Sequence, residues 1–264
     1  MKKYVRFEQD GRTGYGTLEG DSVLELRENF LACPDGYTGR ELPLGSVRLL
    51  APVEAPNVVC IGLNYRRHAA EAGMKLPERP LIFLKTTTAL CGPGDRIVLP
   101  GIAPDNVDYE GELAVVIGKQ AKNVPEEKAL DYVFGYTAAN DVSARDCQLQ
   151  LDGQWARGKS FDTFAPIGPA VVSGIDGNRL GIETKLNGIV MQKSTTGDLI
   201  FSIEKLVSFV SRNMTLLPGT VILTGTPEGV GYSRNPPVWL REGDLVEITI
   251  EHIGTLSNRV VREA

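Results

Sequence analysis

The chain has 264 residues and a formal net charge of −5, with 42% hydrophobic and 23% charged side chains. That balance is ordinary for a soluble globular protein, offers no basic footprint for nucleic acid, and contains no apolar run near the ~18 residues of a membrane span. The start, MKKYVRFEQDGRTG, lacks the apolar core of a secretory signal, and Cys33, Cys60, Cys91 and Cys147 form no CxxC pair, so a cytoplasmic protein with reduced thiols is expected.

In chain order, the first fifty residues read as short strands, KKYVRFEQ, TGYGTLEG and SVLEL, separated by DGRTG and EGD turns. Pro52 and Pro56 mark a seam. This places a small N-terminal β domain at 1–52 and the main domain at 53–264, packed against each other. Asn64 is expected to cap a short helix through YRRHAAEAG, which Gly73 ends. PLIFLKTTTAL, RIVLP and GELAVVIG read as strands, and PEEKALDYV as a short helix with Pro125 and two acids at its start. FGYTAANDVSARD passes from strand to polar loop. FAPIGPAVV, GIETKLNGIVMQ, TVILTG and DLVEITIEHIGTLSNRVV read as strands, with His252 a structural residue inside the last. DLIFSIEKLVSFVSRNM spaces Ile203, Leu206, Val207 and Val210 as one helix face. Many strands and few short helices predict an α+β fold of mixed β-roll type and exclude a doubly wound Rossmann sheet.

Four places could carry chemistry. In NVDYEGELAVVIGK, Glu110 and Glu112 would point the same way, about 7 Å apart along an extended strand. With Asp141 of AANDVSARD they would offer three hard oxygen ligands suited to Mg²⁺, Mn²⁺ or Ca²⁺ rather than zinc. The same E-x-E spacing equally fits the wet face of an edge strand. In NYRRHAAEAG, His68 and Glu71 stand at i and i+3, as an oriented general base or as an incidental surface pair. Lys159 in WARGKSF, partly buried, could stabilise an oxyanion or donate a proton, and Lys85 in IFLKTTT needs a partner if it points inward; both are otherwise surface lysines. The loop LTGTPEGVG has backbone N–H groups that could hold a carboxylate, without the ending of a P-loop.

The order of these segments is more specific than any one of them. NYRRHAAE, PLIFLK, DYEGELAVVIG, GYTAANDVSARDCQ, WARGKSFDTFAPIGP and LTGTPEGVG together resemble the fumarylacetoacetate hydrolase family over roughly residues 55–260. That resemblance implies a β-roll enzyme, usually a homodimer, with a divalent metal, Mg²⁺ or Mn²⁺, for which Ca²⁺ can substitute in crystals. It puts the metal ligands at Glu110, Glu112 and Asp141, a lid-helix dyad at His68 and Glu71, and the lysine of the site at Lys159. Arg145 and Gln148 fall on substrate-contacting positions, Arg145 to neutralise a carboxylate. Thr226 falls on the threonine that meets the substrate carboxylate, and Lys85 on the FLK position. Asp108 matches no ligand position.

The activity so implied is metal-dependent hydrolysis of a carbon–carbon bond in an acylpyruvate-type 1,3-diketo acid, with pyruvate enolate as leaving group and water activated by His68–Glu71. Alternatives on the same electron sink are a 2-hydroxyhepta-2,4-diene-1,7-dioate isomerase and a decarboxylase of oxaloacetate-type oxo acids. A metal-binding module with little turnover is the alternative outside enzyme chemistry. The segment GVGYSRNPPVWLREGD resembles members of aromatic catabolism. The partner expected is a small oxo acid, not nucleic acid or a membrane.

Overall fold

The computed structural model describes residues 1–263. Two sheets dominate. The larger has twelve strands, in the order Tyr37–Pro43, Ser22–Leu26, Arg12–Glu19, Lys2–Gln9, Ala165–Ser173, Val133–Asn140, Gly111–Ile117, Val221–Leu223, Val58–Gly62 and Leu81–Lys85; Arg48–Leu49 and Leu90–Cys91 pair off this path. The smaller runs Ile189–Thr195, Gly181–Leu186, Leu245–Ile250, Gly254–Arg262 and Arg96–Leu99. The fold is an α+β, mixed β-roll. The N-terminal strands are continuous with the main sheet, because Lys2–Gln9 pairs antiparallel with Ala165–Ser173.

The strand Gly111–Ile117 explains its apolar run by being covered on both faces. Leu113, Val115 and Ile117 enter the main core with Ile182, Ile248 and Leu256 of the smaller sheet. Ala114 and Val116 face a second core with Tyr4, Phe30, Ile167 and Leu223. Burying each large aliphatic side chain contributes roughly 1.5–3 kcal/mol. Glu112 shares the parity of Ala114 and Val116, so it enters the protein at the end of this second face. The wet edge-strand reading of its acids is therefore overturned, and Glu110 lies just before the strand rather than in it.

The helix Ile203–Asn213 buries Ile203, Leu206, Val207 and Val210 as spaced, and its Ser202 cap accepts the Lys205 N–H at 3.4 Å. The helix Arg66–Glu71 begins at Tyr65, with no side-chain cap. Asn64 does not cap it. Its buried amide instead donates to Thr224 O at 2.8 Å and Phe201 O at 3.2 Å, and accepts Phe201 N–H at 2.8 Å. Two loops are thereby fastened to one amide, which outweighs a single cap bond. Gly73 does follow the helix end, at φ +64°. GIETKLNGIVMQ and DLVEITIEHIGTLSNRVV are each hairpins rather than single strands, turning at Asn187–Gly188 and at 251–253. His252 thus sits exposed in a turn at φ +66°, not inside a strand. The seven-residue segment Glu126–Tyr132 is a tight 3₁₀ helix preceded by Pro125.

Candidate active site

The antiparallel pairing of Gly111–Ile117 with Val133–Asn140 sets Gly111 opposite Asn140, which brings the two acidic segments together. The Asp141 N–H donates to Glu110 O at 2.9 Å, and the Asn140 side chain accepts the Glu110 N–H at 3.0 Å. Carboxylate oxygens of Glu110, Glu112 and Asp141 consequently lie within 4.8 Å of one another, all three residues buried. Sequence spacing along one strand could not bring Asp141 here; the strand register does.

Three cations surround this triad. Lys159 is 2% exposed and donates to Glu110 Oε2 at 2.9 Å and Asp141 Oδ2 at 2.8 Å. Lys85 pairs with Asp141 Oδ1 and donates to Val142 O at 3.0 Å. Arg145 Nη2 lies 2.6 Å from Glu110 Oε1. Both surface-lysine readings are therefore overturned, and Lys85 stands behind Asp141 rather than on the cavity wall. Glu112 is different. It takes the Gly225 N–H at 2.7 Å, but among the described residues it joins no ion pair.

The protonation equilibria follow that asymmetry. Burial, then the neighbouring Asp141 and Glu110, push the Glu112 carboxyl well above the usual carboxylate range. Glu110 suffers the same burial, yet Lys159 and then Arg145 hold it below that range. Burial works against the charge of Lys159, but Asp141 and Glu110 raise it above the ordinary lysine value. Counting Asp108, four acids meet three cations, and the surplus falls on Glu112. An all-oxygen donor set in which one buried carboxyl has no cation to offset its ionised form fits a hard divalent cation. The carboxylate oxygens already bonded to lysine or arginine retain a second lone pair.

The triad opens into a cavity of about 490 Å³. Glu110, Glu112, Asp141, Lys159, Arg145, Gln148 and Thr226 line its polar side; Leu63, Met74, Phe83, Leu149, Trp155 and Val230 line an apolar one. His68 and Glu71 reach the same cavity from the helix Arg66–Glu71, with Nδ1 3.1 Å from Glu71 Oε2. Glu71 also accepts the Gly229 N–H at 3.0 Å. The LTGTPEGVG loop thus does hold carboxylates, but those of Glu112, Glu71 and, through the Gly231 N–H at 2.8 Å, Asp108, the chain's own. Thr226 Oγ1 donates to Gly111 O at 3.0 Å and accepts from Gln192 at 2.8 Å, so its hydroxyl proton is already engaged.

Two residues were not singled out for this site by their sequence context. Gln192 ties Thr226, Pro227 O and Gly111 N–H together from the smaller sheet; nothing in GIVMQKST distinguishes it. Asp108 did carry a signal, an acid alternating with Glu110 and Glu112 before an apolar run. It is fully buried and accepts from Arg145 Nε at 3.0 Å and Nη2 at 2.7 Å, and from the backbone of Gly231 and Tyr232.

Among the described residues no helix is long and apolar enough to cross a membrane. Residues 57–261 match the family model described as fumarylacetoacetate (FAA) hydrolase C-terminal, and residues 2–52 match one described as Rv2993c-like, N-terminal. The chain is 50% identical over 239 residues to a fumarylacetoacetate hydrolase domain-containing protein 2 homolog of Dictyostelium discoideum, covering 86% of this chain and 78% of that protein. It is 44% identical over 247 residues to the mitochondrial oxaloacetate tautomerase fahd2 of Xenopus laevis, covering 92% and 76%. The crystal structure of 5-carboxymethyl-2-hydroxymuconate delta-isomerase from Mycobacterium smegmatis superimposes with a TM-score of 0.89 at 46% identity, over 100% of both chains. With its fold, its acidic triad and a family match across most of its length, the chain belongs to the fumarylacetoacetate hydrolase family of enzymes.

Proposed function

We propose that this protein is a divalent-cation-dependent tautomerase of oxaloacetate-type 2-oxo acids, moving a proton at the carbon next to the oxo group. The observation that carries this reading is the placement of an uncompensated Glu112, within the acidic triad, on the same cavity as the His68–Glu71 pair. Glu110, Glu112 and Asp141 would hold Mg²⁺ or Mn²⁺, which when bound supplies Lewis-acid stabilisation of charge on the oxo oxygen. Glu71 holds the Nδ1 side of the His68 ring, leaving Nε2 to accept and return the substrate proton. Lys159 fixes Glu110 and Asp141 at their separation. The apolar wall limits water around the reacting carbon. The names of the Xenopus and Mycobacterium relatives, a tautomerase and an isomerase, favour proton transfer over bond cleavage.

Carbon–carbon hydrolysis of an acylpyruvate is the second reading. The cavity of about 490 Å³ and its apolar side exceed what a four-carbon acid fills, and His68 could equally take a proton from water. One experiment separates the two. Purified protein with Mg²⁺ or Mn²⁺ is given enol-oxaloacetate, and separately acetylpyruvate, while enol absorbance and released pyruvate are followed. Accelerated loss of the enol without pyruvate release supports the tautomerase; pyruvate release from acetylpyruvate with no effect on the enol refutes it in favour of hydrolysis.

A further inference from the structure

Three of the large apolar side chains that this protein leaves exposed stand around one cavity. Met74, Leu149 and Tyr232 are 58%, 46% and 49% exposed, and each lines the cavity that holds the acidic triad. They reach it from separate segments: the stretch after the helix Arg66–Glu71, the helical turn Cys147–Leu151 and the turn Gly231–Ser233. Apolar side chains scattered singly over a surface need no explanation. Three that converge on one opening mark a place where an apolar group is received.

The wall behind them is built on the larger sheet. Phe83, buried in the strand Leu81–Lys85, has its ring centroid 5.4 Å from that of Trp155, with the two planes at 71°. Trp155 lies against Gly62 of the adjoining strand, where an added Cβ would sit 3.0 Å from the indole. A glycine there lets the ring approach the backbone closely. Lys159 Nζ stands 5.0 Å from the Phe83 ring centroid, and the same ammonium holds Glu110 and Asp141. The apolar surface thus begins one ring away from the triad and ends on the exposed side chains at the opening. A polar group set against Phe83 and Leu149 would give up water without a partner, whereas an alkyl chain is stabilised there.

We propose that the substrate is a 2-oxo acid carrying an apolar chain beyond the carbon next to its oxo group, and that Phe83, Trp155, Leu149 and Met74 receive this chain. This rests on the oxo-acid reading of the site, and it holds for proton transfer and for bond cleavage alike. It accounts for the part of the roughly 490 Å³ cavity that a four-carbon acid leaves unfilled. The triad and His68 then act on one end of the ligand, while the apolar wall selects the other.

Titration calorimetry with Mg²⁺ present tests this on four acids with one head group: pyruvate, 2-oxobutanoate, 2-oxopentanoate and 2-oxohexanoate. Kd is expected to fall about 3- to 4-fold for each added methylene, the gain that burying one CH₂ implies. Leu149→Asn keeps a similar size but sets an amide on the wall, and is expected to cut that gain to less than about 2-fold per methylene. Leu149 is half exposed, so the variant is expected to fold; thermal melts verify this, and Met74→Gln provides a second variant with the same expectation. A Kd that stays level or rises along the series, while pyruvate binds, overturns the proposal and leaves the oxo-acid reading standing. The wild-type slope retained in both Leu149→Asn and Met74→Gln would place the chain elsewhere and overturns it as well. Binding by none of the four acids removes the oxo-acid reading itself, and the proposal with it.

Discussion

Replacing Glu112 by glutamine isolates the electrostatics of the metal-free protein. Glu112→Gln keeps the shape and an oxygen for the Gly225 N–H while removing one buried negative charge. Two unit charges 4.8 Å apart repel by about 3.5 kcal/mol at an effective dielectric constant near 20. Lys85, Lys159 and Arg145 offset much of this at Glu110 and Asp141, so the net relief is about 1–2 kcal/mol. In a chain of this size that raises the metal-free Tm by about 2–8 °C. The sign with pH is fixed. An acid whose folded pKa lies above its ordinary value of 4.5 binds its proton more tightly when folded. Its penalty is absent below that value and grows as pH rises towards the folded pKa. The advantage of Glu112→Gln therefore vanishes near pH 4 and increases upward. Calorimetric melts in chelator, repeated with Mg²⁺, read both effects. If the triad takes Mg²⁺ as proposed, the ion at 100 times its Kd is expected to stabilise the wild type by about 2.7 kcal/mol, and the variant by much less. A metal-free Tm that falls in Glu112→Gln at neutral pH would refute the reasoning, because Glu112 would then be satisfied by the protein alone.

Three further outcomes are expected. His68→Ala lowers kcat by about 10²-fold or more while Mn²⁺ affinity, read by titration, stays within a few-fold; unchanged turnover would exclude His68 as the proton carrier. Lys159→Met leaves Glu110 and Asp141 facing each other without their shared cation and destabilises the metal-free protein by about 3–5 kcal/mol, measured by denaturant unfolding. Asn64→Ala removes three hydrogen bonds that join the loops at 201 and 224. It should cost about 2–4 kcal/mol, and a loss below 1 kcal/mol would show that water replaces the amide.

The strands were legible because their apolar residues repeat, and the helix Ile203–Asn213 because Ile203, Leu206, Val207 and Val210 hold one face. The hairpin turn at 251–253 was not, since EHIG carries no strong turn dipeptide and continues a β-like pattern. Asn64 misled for a related reason: its type suits a cap, and only the return of residues 201 and 224 to the same place gives its amide better partners. In the candidate site, residue order and family resemblance pointed to the acids and to His68–Glu71, which the fold brings to one cavity. The electrostatic division among them was invisible. Glu110 and Glu112 are chemically alike and two residues apart, yet one meets Lys159 and Arg145 and the other a lone backbone N–H. That difference arises from which distant segments pack beside each carboxylate.

The His68–Glu71 pair shows how far such dependence reaches. A helix of six residues is too short to persist alone, so neighbours must hold Arg66–Glu71 in place. Arg66 Nη1 donates to the carbonyls of Asp198 and Leu199, and the Arg67 N–H meets the Asp198 carboxylate at 3.0 Å. Arg67 pairs with Glu228 at 3.6 Å, and Glu71 takes the Gly229 N–H at 3.0 Å. Gly229 can serve because it sits at φ +96°, with Met191 O only 2.2 Å from where a Cβ would be. The carboxylate that orients the imidazole is thus itself aimed by a backbone N–H 158 residues downstream. The same loop begins with Gly225 on Glu112. One glycine-rich turn therefore places backbone N–H groups on both Glu112 of the acidic triad and Glu71 beside His68, so the two carboxylates share one support.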